Sequence, residues 1–271
     1  MQTGDQPTRP DPTVSDGWSV LRNLTTARIA LGRAGVSLPT RHHLAFQLAH
    51  AQARDAVQMP LDALQIQRDL EPLGLDVLHA ASMATQRDLY LRRPDLGRRL
   101  DAASHERLTR VAGNYDVVVI VGDGLSAPAV QRHAVPLLQF VIPELQAEGW
   151  RVAPLVIATG ARVALSDEVG AVLGAEHAVI LIGERPGLSA PDSLGVYLTF
   201  APRIGNTDAD RNCISNIRAE GLSYAAAAAT LLYLLRAARE LRYSGVRLKD
   251  ESGEGLPSTT SRDGGNFLAH R

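Results

Sequence analysis

Residues 116–127, with the sequence DVVVIVGDGLSA, indicate the fold of this 271-residue chain. The segment Val117–Val121 is a continuous run of β-branched residues, which is typical of a strand buried on both faces of a parallel sheet. The Gly-Asp-Gly turn that follows it leads into a helical pattern from Pro128 to Glu148. A strand, a tight turn and a helix in this order predict one unit of an α/β fold.

The alternation continues toward the carboxyl terminus. A helix is predicted at Ala164–Leu173, with Ser166 as its expected cap, and a long helix at Tyr224–Tyr243. We therefore expect an α/β fold whose Rossmann-like, doubly wound parallel sheet domain spans residues 113–250 and binds its ligand at the carboxyl ends of the strands. Further strands are predicted at Val152–Ile157, Ala178–Ile182 and Val196–Phe200.

The preceding residues, 18–112, have helical spacing and predict an N-terminal helical domain. Thr25 and Thr26 are plausible caps for a helix at Ala27–Arg33, and a long helix is expected at Arg41–Met59. The segment Val77–Ala84 is interpreted as a short turn or helix. Polar, Pro-containing residues 1–17 predict a disordered leader, and residues 251–271 a mobile tail.

The overall composition narrows the function classes. Lys and Arg total 28 against 29 Asp and Glu, a net charge of −1 that gives no reason to expect nucleic acid or an anionic membrane as a partner. No apolar run approaches the roughly 20 residues of a membrane span, and no secretory signal is evident. The single cysteine, Cys213, excludes an internal disulfide and favours a reducing, cytoplasmic location.

The longest turn-rich stretch is residues 183–221, GERPGLSAPDSLGVYLTFAPRIGNTDADRNCISNIRAEG. Its Gly, Pro, Asp and Asn residues favour turns with special backbone angles and exposed backbone donors, which suit a cradle for a large polar ligand. Loops of this length in compact domains are usually functional or disordered. Glu184, at a strand end, is either a solvated turn residue or an acceptor for ligand amide and hydroxyl groups.

The remaining motifs support no specific functional prediction. The Gly-Asp-Gly turn at 122–124 is neither a dinucleotide fingerprint nor a P-loop, and it fits a tight turn as well as a ligand contact. Asp208 and Asp210 lack the Gly and Glu of a calcium loop. His43 and His50 have no third ligand, so no metal site is predicted. Cys213 has no histidine nearby in sequence, and a structural cysteine is the commoner case.

Residues 182–228 closely resemble the small subunit of ethanolamine ammonia-lyase, an adenosylcobalamin-dependent family. The likeness extends back through residues 116–127 and forward to Lys249. It is weaker from Thr25 to about Arg110, although residues 25–57 also look like the family. The resemblance implies that Val163, Glu184 and Cys213 contact the cobalamin. It also implies a base-on cofactor with no cobalt ligand from this chain, in accord with the lack of an Asp-x-His-x-x-Gly motif.

The resemblance further implies a radical conversion of ethanolamine to acetaldehyde and ammonia, with the substrate and the radical chemistry in a large subunit. This chain would then bind and shield the cofactor within a higher hetero-oligomer and supply no catalytic acid or base. A bacterial microcompartment fits the family. Two other readings stay open: a nucleotide- or phosphate-binding module, and a purely structural partner subunit.

Overall fold

The computed structural model describes residues 13–251 and shows an α/β architecture. Most of the expected leader at 1–17 and almost all of the expected tail at 251–271 lie outside the described residues. The helices are α1 (Thr40–Gln58), α2 (Ala63–Leu70), α3 (Arg87–Arg92), α4 (Ala102–Thr109), α5 (Ala127–Ala147), α6 (Leu165–Leu173) and α7 (Tyr224–Leu241). The strands are β1 (Val77–Ala81), β2 (Tyr115–Gly122), β3 (Leu155–Thr159), β4 (Ala175–Gly183), β5 (Leu194–Phe200) and β6 (Arg211–Ile217).

The six strands form one sheet in the order β1-β3-β2-β4-β5-β6. β1, β3, β2 and β4 are parallel, whereas β5 and β6 join as antiparallel neighbours. The predicted α/β class and its parallel centre are confirmed. The fourth predicted strand, Val196–Phe200, exists as β5 but runs in the opposite direction, because a turn-rich loop rather than a crossover helix connects it to β4.

Helices cover both faces of the sheet. The first face packs against α2, α5 and α7 through side chains such as Val119 of β2 and Leu181 of β4. The second face packs against α4 and α6 through Val118 and Ile180. Burial on both faces explains why the segment Val117–Val121 of β2 is entirely apolar.

Local signals explain most helix boundaries. Pro39 precedes α1, and the side chains of Asp62, Asp101, Ser126 and Ser223 accept backbone N–H bonds at the starts of α2, α4, α5 and α7. α6 ends at Gly174, whose left-handed backbone places a hypothetical Cβ 2.4 Å from the Gly113 carbonyl oxygen. The predicted helices at 41–59, 128–148, 164–173 and 224–243 are therefore confirmed within a few residues.

Four local predictions are wrong. Ala27–Arg33 forms no helix, and Arg33 instead bridges to Val14. The segment expected as a turn or helix at 77–84 contains β1, which pairs with β3. Part of the expected loop at 183–221 is β6. Ser166 lies inside α6 and donates to the Val163 carbonyl oxygen at 2.8 Å, so it does not cap that helix.

Candidate functional site at the carboxyl edge of the sheet

The turns that follow β2 and β3 are joined by Asp123. Its carboxylate accepts hydrogen bonds from the N–H groups of Gly124 at 2.9 Å, Gly160 at 2.9 Å and Ala161 at 2.8 Å. Burial raises the pKa of Asp123, against the opposing effect of these bonds and of Arg87. Because both oxygens are used within the protein, the Gly-Asp-Gly turn is a structural joint.

A cavity of about 360 Å³ opens beside this joint, between α1, α3 and the ends of β1 and β3. Two of its polar side chains, those of Arg87 and Tyr90, bond to backbone carbonyl groups, while the buried Nη2 atom of Arg87 has no partner among the described residues. Arg87 donates to the carbonyl oxygens of Val57 and Gly124, and the Tyr90 hydroxyl donates to Ala161. The Arg87 guanidinium also lies 4.6 Å from the centre of the Tyr90 ring. These contacts fasten the N-terminal helices to the sheet.

Glu184 lies directly after β4, where the chain turns toward β5. Its Oε2 accepts a hydrogen bond from the Ser193 hydroxyl and a longer one, at 3.4 Å, from the Asn216 N–H. The backbone N–H of Glu184 donates to the Ser193 carbonyl oxygen at 3.0 Å. The side chain is half-buried. Glu184 is thus a positioned carboxylate, and its fixed orientation is what a ligand acceptor requires.

Tyr197 of β5 and Cys213 of β6 are direct cross-strand partners on the second face of the sheet. Cys213 is exposed as a residue, yet its thiol is partly enclosed, and this burial raises the pKa of the thiol. Burial likewise raises the pKa of Tyr197, with further contributions from Cys213 and Glu184. A thiol held in its protonated form is a weak nucleophile, so the chemistry favours contact over covalent catalysis.

Gly195 is buried between these side chains, and the lack of a Cβ atom there lets Glu184 and Tyr197 pack closely against its backbone. A Cβ atom there would lie 3.1 Å from Oε1 and 3.2 Å from Cγ of Glu184, and 3.4 Å from a ring carbon of Tyr197. We call Glu184, Gly195, Tyr197 and Cys213 the open patch. It combines a carboxylate, a phenol and a thiol around a position without a side chain.

Val163 lies in the loop between β3 and α6 and is partly buried against the apolar cluster of the second face. Tyr197 packs against the same cluster. The structure therefore brings Glu184 and Cys213 into one patch and places Val163 on the same face of the sheet.

A buried ion pair adjoins this face. Arg211 of β6 is paired with Asp167 of α6, and both side chains are almost fully buried. Arg211 also contacts the Asp208 carboxylate at 3.2 Å and the Asn206 carbonyl oxygen at 3.2 Å. Burial raises the pKa of Asp167 to about 6, although the charge of Arg211 opposes the shift. The pair fixes the loop at 203–210 beside Val163.

Sequence reasoning missed several residues of this region. Gly195 and Tyr197 lie two positions apart within β5, so strand alternation alone could have placed them on one face. Arg98 and Arg162 lie on different loops, and only the tertiary structure brings them beside Val163 in one cavity. Arg211 lies in β6, a strand that the turn-rich composition of residues 183–221 does not indicate.

Within residues 13–251, no group of three or more His, Cys, Asp or Glu side chains is arranged to hold a metal ion. None of the helices in that range has both the length and the apolar character needed to cross a bilayer.

Comparison with known proteins identifies relatives along nearly the whole chain. The family described as ethanolamine ammonia-lyase light chain (EutC) matches residues 15–249. Ethanolamine ammonia-lyase small subunits are 57% identical in Azotobacter vinelandii, over 95% of this chain and 97% of the relative, and 56% identical in Ralstonia nicotianae, over 98% and 99%. The Pseudomonas aeruginosa subunit is 55% identical over 97% of both chains. The chain described here belongs to the ethanolamine ammonia-lyase light chain family.

Proposed function

We propose that this chain is the small subunit of an adenosylcobalamin-dependent ammonia-lyase that converts ethanolamine to acetaldehyde and ammonia. In this proposal it binds and shields the cofactor at the interface with a large subunit, and the large subunit carries the substrate and the catalytic groups. The observation that carries the proposal is the open patch, in which two positions implied as cobalamin contacts, Glu184 and Cys213, meet around Gly195.

The residues of the open patch fit a corrin ligand. Cobalamin carries several neutral amide side chains, which need hydrogen-bond acceptors, and a broad apolar ring that needs a surface free of bulky side chains. Glu184 supplies an oriented carboxylate, and Gly195 adds no side chain between Glu184 and Tyr197. Val163 offers an apolar contact. A few oriented polar groups beside apolar contacts are typical of a ligand site.

The cofactor, when bound, supplies homolytic cobalt–carbon bond cleavage, which is chemistry that no side chain provides. The part of this chain is binding, orientation and exclusion of water. Glu184 would accept a hydrogen bond from a corrin amide through its carboxylate. Tyr197 and Cys213 would contact the bound cofactor, and both keep their protons because burial raises the pKa of each group. No acid or base of this chain takes part in the reaction.

An apolar surface at the N-terminal side supports a large partner. Phe46 and Leu48 of α1 are 41% and 61% exposed, and Leu24 and Val36 of the preceding segment are 80% and 102% exposed. Several large apolar side chains left exposed in one part of a chain are typical of protein interfaces. We assign them to the large subunit within a higher hetero-oligomer. The proposal includes a cytoplasmic location, inside a microcompartment where the organism builds one.

The test is a titration with adenosylcobalamin, followed by visible absorbance, of this chain alone and of its complex with the large subunit. We expect the complex to bind the cofactor and to release acetaldehyde only when ethanolamine is added. A complex that assembles but takes up no cobalamin would refute the proposal and favour a purely structural subunit. Binding of a nucleotide by this chain alone would favour the nucleotide-binding module instead.

A further inference from the structure

A second cavity, of about 450 Å³, lies beside Val163 and has more basic than acidic side chains in its lining. Three guanidinium groups line it, from Arg98, Arg162 and Arg211, and the one carboxylate in its lining belongs to Asp208. We call it the arginine cavity. An excess of cationic groups in a concave site attracts an anion. The remaining lining residues are Pro94, Val163, Ala164, Asn206 and Thr207.

Two of the three arginines are held in place by the protein. Arg211 is buried and paired with Asp167 and Asp208. Arg162 donates to the Tyr90 carbonyl oxygen at 2.9 Å and stacks 4.1 Å from the centre of the Tyr90 ring. The buried Nε atoms of both arginines have no hydrogen-bond partner among the described residues. Arg162 therefore gives the cavity a fixed positive charge, whereas the charge of Arg211 is balanced by its two carboxylate partners.

Arg98 differs from the other two. It is exposed in the short 3-10 helix Leu96–Arg98, and its side chain makes no hydrogen bond or ion pair within residues 13–251. Its neighbours Arg93 and Arg99 are paired with Asp95 and Glu168 at 2.6 Å and 3.0 Å. Arg98 is thus free to close on a ligand from the mouth of the cavity. An arginine binds a phosphate group through two parallel N–H bonds.

We propose that the arginine cavity binds the phosphodiester in the nucleotide tail of the cofactor, with Arg98 as the residue that contacts it. The inference rests on the proposed function, since it assumes that cobalamin lies against Val163. The tail phosphate carries the one negative charge outside the cobalt centre of this cofactor, whereas the corrin amides are neutral. A basic cavity next to a corrin contact position matches that distribution of charge.

The experiment uses the complex with the large subunit, loaded with adenosylcobalamin, and two competitors that both lack the nucleotide base. Adenosylcobinamide has no phosphate, and adenosylcobinamide phosphate has one. We expect the phosphate form to displace the cofactor about tenfold more effectively, as a charge-assisted hydrogen bond predicts. Arg98→Gln is expected to remove most of this preference. Arg110→Gln, an exposed substitution at the opposite edge of the sheet, is the matched control and should preserve it.

The outcomes separate the two proposals. If the complex binds no adenosylcobalamin, the proposed function fails. If it binds adenosylcobalamin but the two competitors do not differ, or the phosphate form displaces nothing, the phosphate site fails while the proposed function stands. A preference that survives in Arg98→Gln would also overturn the role of Arg98. Circular dichroism of the variant confirms that the fold is intact.

Discussion

Gly124 and Gly183 are in backbone contact: a Cβ atom on Gly124 would lie 2.3 Å from the Gly183 carbonyl oxygen. That oxygen accepts the Leu125 N–H at 2.9 Å, so the turn after β2 is bonded to the end of β4. Two glycines that suggest a ligand cradle in the sequence are therefore needed for close approach of two backbone segments.

Replacement of Gly124 should be costly for this reason. Its φ of +58° is unfavourable for other residues, and an added methyl group would collide with Gly183. We expect Gly124→Ala to lower the free energy of unfolding by more than about 2 kcal/mol, measured by urea denaturation. Gly187→Ala is the control, because its Cβ would meet nothing closer than 3.7 Å. Equal stability of the two variants would contradict the contact.

Asp123 should be important for stability rather than for binding. Asp123→Ala leaves three buried N–H groups, those of Gly124, Gly160 and Ala161, without their acceptor. We expect a loss of about 2–4 kcal/mol in the free energy of unfolding. Asp123→Asn keeps one acceptor oxygen and should lose less. If thermal or urea denaturation shows that the Asn variant is less stable than the Ala variant, Asp123 does not act as the acceptor that joins the two turns.

Glu184 should be important for binding. Glu184→Gln removes the charge but can still accept the Ser193 hydroxyl, so the expected loss in stability is at most about 1 kcal/mol. On the proposed function, affinity for adenosylcobalamin should fall about tenfold in the complex with the large subunit. Glu220→Gln, which alters an exposed pair with Arg218, is the control. Unchanged cobalamin affinity in the Glu184 variant would remove this residue from the site.

Gly195 offers a steric test of the same patch. In Gly195→Ala the new methyl group would lie 3.1 Å from Oε1 of Glu184, a distance that forces the carboxylate to move. We expect weaker cobalamin binding with less than about 1 kcal/mol lost in stability, because the obstacle is the end of a side chain. Titration of the complex with cobalamin measures the effect. A variant that binds as tightly as the wild type would show that the close packing at Gly195 is not needed for binding.

Asp167 should produce a pH-dependent stability. Burial raises its pKa from an ordinary 3.8 to about 6, so between about pH 4 and pH 6 the folded protein binds a proton that the unfolded chain has released. Its contribution to the free energy of unfolding therefore falls as the pH rises through this window and is constant above it.

Asn at position 167 exchanges no proton. The difference in unfolding free energy between the wild type and Asp167→Asn should accordingly change by up to about 3 kcal/mol across the window and be flat above pH 7. Urea denaturation at pH 4.5, 5.5, 7 and 8 provides the measurement. A difference that does not depend on pH would contradict proton binding by Asp167.

A strand can be predicted from the sequence when the residue pattern that identifies it lies within the strand itself. β2 could be recognised because Val117–Val121 is buried on both faces and carries its pattern in five residues. β6 could not, because a bulge interrupts its pairing with β5 near Leu194 and Val196. As a result Ile214 and Ile217, three positions apart, both face the first side of the sheet, and the usual alternation is lost.

Only those site residues that lie within a recognisable sequence motif could be predicted from the sequence. The segment at 182–228 contains Glu184 and Cys213, and the structure brings them into one patch. The arginine cavity combines Arg98, Arg162 and Arg211 from three separate segments, and only the packing of those segments produces it. β1 was equally hard to predict, since its sequence VLHAA has weak β propensity and becomes a strand through its pairing with β3.

The position of β1 also limits how this protein can be shortened. Because β1 pairs with β3 along Val77–Ala81, it covers a sheet edge that begins only at Leu155 in the chain. A fragment that begins at residue 113 would expose the unpaired N–H and C=O groups of β3, and uncovered edges of that kind recruit other strands and lead to aggregation. Soluble production of residues 113–250 should therefore require the first half of the chain, supplied either in the same polypeptide or as a separate piece.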